Sequence, residues 1–243
     1  YVGLGAGNAT TTGACNFFGG SAAGNKNTTG HSNVAIGRQA MGCNTTAAYN
    51  TVVGACAMFC NTTTGDASVA IGFKALHDNS TGKCNTAVGF CALYSNTSGC
   101  FNTASGYRAM ATSTTGCDNA SYGSYSLAAN TTGTANTAIG KAAMACHTTG
   151  NRNTAVGRTA LHYNTTADEN VAIGYYSLLC NTTGADNTAS GAYSLKVNST
   201  GTENVAIGQR AMCDNTTGSQ NVAIGQQSLV KNTTASDNTA IGK

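Results

Sequence analysis

The sequence has no proline and no tryptophan, and only 9% of its 243 residues are charged, against about 25% in an ordinary soluble domain. Without proline it cannot form a collagen-type helix. Leu, Glu and Lys are scarce while β-branched residues and Gly abound, which excludes a coiled coil or helical bundle. No apolar run approaches the ~20 residues of a membrane-spanning helix, so no membrane span falls in this segment. A net charge of +3 over the whole length is no nucleic-acid footprint, and no nucleic-acid partner is expected. Simple disorder is excluded because 41% of the residues are apolar and recur periodically. No targeting segment is visible. What fills the space is Asn, Thr and Gly: 27, 38 and 31 residues, or 96 of 243. That is the composition of a turn-rich β repeat.

The repeat is explicit. Asn-Thr/Val-Ala-Ile/Val-Gly recurs from Asn16 and Asn33 to Asn221 and Asn238 in steps of 17, with one step of 18 between Asn50 and Ser68. The additional residue is a third Thr in Asn61-Thr62-Thr63-Thr64-Gly65. Numbering the Asn as register 0, register 4 is Gly in all fifteen copies, from Gly3 to Gly242. Register 7 is Ala or Ser, register 8 is Leu or Met in twelve copies, and Asn-Thr-Thr-Gly follows at registers 11–14. The chain opens and closes within a repeat and neither end reads as a cap, so it is expected to belong to a longer array.

Seventeen residues are too few for a helical-repeat unit, which needs about 33 or more. One unit has too little apolar bulk for a core, but stacked units share one. The expected fold is all-β: a parallel β-solenoid, or β-roll, of about 15 rungs with a 17-residue repeat. At roughly 4.8 Å per rung it would be a rod about 70 Å long. The register-4 Gly should occupy a corner closed to L-residues, and the Asn columns should stack as amide ladders. Val-Ala-Ile alternates with period 2. Registers 1, 3 and 8 are read as the core, and the register-2 Ala as an outward stripe permitting close packing of a neighbour. Residues 1–32 read as degenerate N-terminal rungs: Gly7 and Gly24 replace Leu/Met, and Phe17-Phe18 replace Thr-Ala. Residues 33–243 form the regular array, and the whole is one continuous domain.

Asn33-Val34-Ala35-Ile36-Gly37, Ser68-Val69-Ala70-Ile71-Gly72 and Asn204-Val205-Ala206-Ile207-Gly208 resemble the head repeats of YadA-like trimeric autotransporter adhesins. The longer form, with Ala-Leu and Asn-Thr-Thr-Gly, is similar to arrays in phage and giant-virus fibres and bacterial surface proteins. The resemblance covers the whole chain. It implies a left-handed parallel β-roll, a trimer and a role in attachment. This chain departs from the head repeat in its longer period and its many Cys.

Catalytic chemistry finds little support. The nine acidic residues fall mostly at registers 15 and 16, as at Asp118, Asp168, Glu169, Asp186, Glu203 and Asp237, where such side chains cap backbone N–H groups. His31, His77, His147 and His162 are scattered, with only His77 and His162 in a common register. No catalytic residue and no cofactor is assigned. No Cys-x-x-Cys pair occurs, so a zinc site would need ligands from different rungs, and no metal site is assigned.

Three residue sets carry other expectations. Cys43 with Cys60, and Cys100 with Cys117, share registers on adjacent rungs, and ~4.8 Å is within disulfide reach. Eleven Cys leave at least one unpaired or bridging chains. Sequons at Asn44, Asn61, Asn79, Asn96, Asn130, Asn164, Asn181, Asn198, Asn215 and Asn232 are candidate N-glycosylation sites, although the favoured reading of the same Asn-Thr-Thr-Gly is the turn the rung requires, its Asn stacked into a ladder. Aromatics at registers 5 and 6, namely Phe73, Phe90, Tyr107, Tyr125, Tyr175, Tyr176 and Tyr193, form a candidate interaction face, since such rings suit subunits and sugars alike.

The reading is a structural and interaction protein and not an enzyme: a solenoid segment of an extracellular or viral fibre, filament or adhesin. It is expected at the cell surface, the virion surface or outside the cell. Its partners are other copies, as trimer or filament, and a surface receptor or glycan. Ice binding is the first alternative, from stacked Asn and Thr at registers 11–13, with the Asn a departure from a clean Thr column. A sugar-binding adhesin is the second.

Overall fold

The computed structural model describes residues 2–61 and 65–243. The chain divides into two compact units, Tyr1–Asn119 and Ala120–Lys243. Each is a parallel β-solenoid with one coil per 17 residues. The first contains β1 (Phe17–Gly19), β2 (Val34–Ile36), β3 (Thr51–Val53), β4 (Val69–Ile71), β5 (Thr86–Val88) and β6 (Thr103–Ser105). The second contains β7 (Ala120–Tyr122), β8 (Thr137–Ile139), β9 (Thr154–Val156), β10 (Val171–Ile173), β11 (Thr188–Ser190), β12 (Val205–Ile207), β13 (Val222–Ile224) and β14 (Thr239–Ile241). Within each unit every strand pairs in parallel with the next, and equal registers face each other, as Val205↔Val222 and Ala206↔Ala223 do. Thr51↔Val69 keeps that alignment across the 18-residue step. The three consecutive Thr there lie outside the described residues. Of the fifteenth copy, a single bridge between Val2 and Gly19 is formed.

Only three residues per coil are extended, so most inter-rung hydrogen bonds are made by turn backbone. In the coil of Asn170, the N–H groups of Val171, Leu178, Cys180 and Thr182 donate to the following rung at 2.8–3.0 Å, while those of Gly174, Tyr176 and Asp186 donate to the preceding one. This needs a chain that reverses its carbonyl direction repeatedly. It does so with positive φ at Gly174 (130°), Tyr176 (56°), Leu178 (49°) and Asp186 (59°), and the same registers recur along the chain. A left-handed Leu is uncommon, costing roughly 1–2 kcal/mol, and it persists because the neighbouring coils hold it on both sides. At Gly174 the Cβ of an L-residue would sit 2.7 Å from the backbone of Gly191, which explains the Gly found in every copy.

The interior reverses the expected faces. Ala35, Ala172, Ala206 and Ala223 of register 2 are fully buried, while Ile36, Ile173, Ile207 and Ile224 of register 3 are exposed. Strand alternation shows that registers 1 and 3 share a side but not which side. The narrow coil has room for one large column, the Leu/Met of register 8, packed against small side chains from registers 2 and 7. The β-branched residues point outward, where they favour the extended backbone without filling the core. The remaining interior is polar. Asn170, Asn187 and Asn204 form a ladder in which each Nδ2 donates to the preceding Oδ1 at 3.0–3.1 Å, and each backbone N–H donates to that same oxygen. Asn181, Asn198 and Asn215 form a second ladder at 2.9 Å. Each Nδ2 of that column also donates to the carbonyl three residues on.

Candidate functional site

Three outer features are built by the stacking. The first is the outward face of the strands. In the second unit it carries Val, Thr and Ala at register 1, with Ile139, Ile173, Ile207 and Ile224 prominent at register 3. No charged side chain occurs in any strand. Outward residues two apart along a strand stand about 6.7 Å apart, and rungs repeat at about 4.8 Å. The same unit carries a Thr column: Thr131, Thr148, Thr165 and Thr182 each donate Oγ1–H to the carbonyl of the following rung at 2.9–3.2 Å. The next residue of each turn, such as Thr149, Thr166 and Thr183, is exposed. The Asn of register 11 is inside, so the expected mixed Asn/Thr surface array does not form.

The second feature is a pair of aromatic columns in the first unit. Phe73, Phe90 and Tyr107 stack at 5.2 and 5.3 Å, all partly exposed. Phe59, His77 and Tyr94 stack at 5.5 and 5.0 Å in register 9. Between the columns lies a groove of about 410 Å³, with Lys74, Cys91 and Arg108 along it. The Lys74 ammonium sits 5.5 Å from the Phe73 ring centre and 5.8 Å from that of Tyr94. Within each column the inner ring, Phe90 or His77, has both faces covered by its neighbours. In the second unit Tyr175 meets Tyr176 at 4.0 Å and Tyr193 at 5.4 Å. These rings are half-buried, so they brace the corner as well as face solvent. Tyr125 is exposed at its own corner.

The third feature was missed by reading along the chain. Cys60, His77 and Asp78 come together, with one ligand atom of each within 4.8 Å of the others. His77 Nδ1 lies 2.6 Å from Asp78 Oδ1. Burial pushes the Cys60 thiol up, and the charges of Asp78 and Cys43 push it further. The signal was present in register arithmetic: Cys43, Cys60 and Asp78 occupy register 10 on three successive rungs, with His77 one register before.

The remaining expected residues are placed as follows. All eleven Cys are free thiols. Cys117 Sγ accepts the Cys100 N–H at 3.1 Å, and Cys100 Sγ accepts that of Lys83 at 3.3 Å. They do the work that Asp168 Oδ1 does for the Asn151 N–H at 2.6 Å. Register-15 side chains thus cap the preceding rung, where a local cap was expected. Of the ten sequon residues, Asn44, Asn61, Asn79, Asn96, Asn130, Asn164, Asn181, Asn198 and Asn215 are fully buried, and Asn232 is half-buried. The Nδ2 that a glycan would occupy lies inside the coil at those nine, so a glycan there requires the coil to open.

No protein-family model matches this chain, and no curated protein matches it.

Proposed function

We propose that this chain is a non-enzymatic structural segment of an extracellular or viral fibre, filament or adhesin, and that it associates with further copies through the outward face of its strands. The observation that carries the reading is that face itself: a row of β-branched side chains without charge, repeated at one spacing. An exposed regular apolar surface of this kind suits contact with another surface of the same period. Magnitude limits the mode of contact. Eight strands roughly 10 Å wide present on the order of 400 Å² per partner, about half of the ~800 Å² of a standard stable interface. Association through one unit is therefore weak, and its strength grows with the number of rungs engaged.

The test is sedimentation velocity across a concentration series, with Ile207→Lys and Ile224→Lys combined in one chain. The expected result is concentration-dependent association in the parent and its loss in the variant, with an unchanged melting temperature. Ala206→Arg, by contrast, should unfold the coil, because it places a charge where no solvent reaches. A parent that stays monomeric at high concentration, or a variant that associates equally, overturns the proposal.

Ice binding is the second reading. It is favoured by one observation: with the Asn columns buried, the outward positions carry Thr, Val and Ile. Thermal hysteresis of the dilute chain separates the two readings, since lateral association alone produces none. A sugar-binding adhesin has less support, because stacking covers both faces of Phe90 and His77, and Lys74 lies over Phe73 and Tyr94.

A further inference from the structure

We infer that Cys60, His77 and Asp78, joined by Cys43, form a binding site for a single zinc-class divalent ion. The inference does not depend on how the chain assembles. Cys60 and, one rung before it, Cys43 offer two sulfurs and His77 an imidazole, a mixed soft and borderline donor set suited to zinc and not to calcium or magnesium, with the Asp78 carboxylate held against the imidazole.

The geometry is preorganised. Phe59 covers one face of the His77 ring at 5.5 Å and Tyr94 the other at 5.0 Å, with interplanar angles of 23° and 13°. The ring is therefore held edge-on in its column. Asp78 Oδ1, 2.6 Å from Nδ1, fixes its tautomer by accepting the Nδ1 proton. That leaves Nε2 as the nitrogen for the metal, and it is the arrangement by which carboxylates orient metal-bound imidazoles. Cys60 lies in the same column as Asp78, one rung before it, and Cys43 one rung before that. The two thiols are near enough for the charge of one to bear on the other.

The Cys60 and His77 ligand atoms, within 4.8 Å of each other, need to close to about 3.5 Å, given bonds of ~2.0–2.3 Å around a tetrahedral ion. Rotation about χ1 of the Cys side chains supplies that movement without moving the coil. Access is open, because the His77 and Asp78 side chains are 16% and 37% exposed. The second unit provides an internal contrast. Cys146 Sγ lies 3.8 Å from His162 Nε2, again with His at register 9 and Cys at register 10. There the following rung has Tyr163 at register 10 where the first unit has Asp78, so the carboxylate is missing.

The test uses the full chain, fully reduced, because a Cys43–Cys60 disulfide would remove two ligands. Cobalt(II) is titrated in and followed by absorption. The expected result is a thiolate-to-cobalt charge-transfer band with tetrahedral d–d bands, saturating at one equivalent and abolished by zinc. Cys60→Ser and His77→Ala should each weaken binding at least tenfold. Asp78→Asn should weaken it by roughly 10–100-fold, as outer partners of a ligating His do. Cys146→Ser and His162→Ala should leave it unchanged. Circular dichroism checks that each variant is folded. Absence of the charge-transfer band overturns the inference. So does a band that survives in full in folded Cys60→Ser or His77→Ala, since another of the eleven thiols would then be responsible.

Discussion

Phe18 fills the space that Gly24 leaves. Phe18 occupies register 2, elsewhere usually Ala, and is fully buried. Gly24 occupies register 8, elsewhere Leu or Met, and a Cβ built on it would meet the Phe18 ring at 2.6 Å. The large and small residues of the core have exchanged places across the coil, and the coil has kept its path. The rungs that read as degenerate are a second solution to the same packing problem.

That exchange predicts strong coupling between the two positions. Phe18→Ala should cost about 3–5 kcal/mol, the usual cost of emptying an aromatic site. Gly24→Leu alone should cost about 1–3 kcal/mol through overpacking. The double substitution restores the arrangement of the other rungs and should come within about 1.5 kcal/mol of the parent. Urea unfolding of all four chains measures the cycle. Additive single effects would show that the two residues do not share one space.

A break in the register-11 Asn ladder of the first unit makes a gain of stability accessible. Asn96 Nδ2 donates to Asn79 Oδ1 at 2.8 Å, but the next rung has Ser113 in that column, and both Asn96 Oδ1 and Ser113 Oγ are buried without a hydrogen bond. Serine is too short to reach. Ser113→Asn should supply the missing donor and stabilise the chain by about 1–3 kcal/mol, the usual penalty of an unsatisfied buried polar group. A higher urea midpoint is the expected outcome, and a lower one would mean that the column has no room for the amide.

The register-11 column of the second unit contains a pH-sensitive rung. His147 replaces Asn at register 11; its Nε2 lies 2.8 Å from the Gly150 carbonyl and its Nδ1 3.0 Å from Asn164 Nδ2. Those partners require a donor at Nε2 and an acceptor at Nδ1, so the ring is neutral. Burial lowers its pKa below the ordinary 6.5, outweighing the opposing effects of the Gly150 and Asn164 contacts and the Asp168 charge. The unfolded chain therefore takes up a proton near pH 6.5 that the folded chain refuses. This contribution to stability is complete above pH 6.5 and is lost as pH falls from there toward the lowered folded value. His147→Asn should flatten that part of the stability–pH curve. An unchanged slope across melts between pH 7.5 and 4.5 would assign it to other groups.

How much of this was legible depends on the kind of signal. A contact between equal registers of successive rungs is written in the period, so the parallel pairing, the Asn ladders and the Gly corner could be anticipated. The Cys60–His77–Asp78 cluster was also in the period, but it crosses rungs and mixes two registers, and a search for ligand spacing along the chain passes over it. The burial of the sequon Asn was harder to see, because Asn-Thr-Thr-Gly looks like an exposed turn. Only the carbonyls that close around each Nδ2 show that this side chain turns inward.

The sequence by itself determined the 17-residue coil, its all-β parallel stacking and the columns in which residues meet, because a repeat constrains every copy at once. It did not determine which side of each strand is inside. Alternation is symmetric between the two faces, and Val-Ala-Ile satisfies it either way. The tertiary structure decided for Ala, because left-handed backbone at register 8 turns Leu178 and its neighbour Ser177 both into the coil. With that space taken, the strand could contribute only a methyl group from its inner side. Ile173 was left outside, and the surface on which the proposed function rests is the consequence.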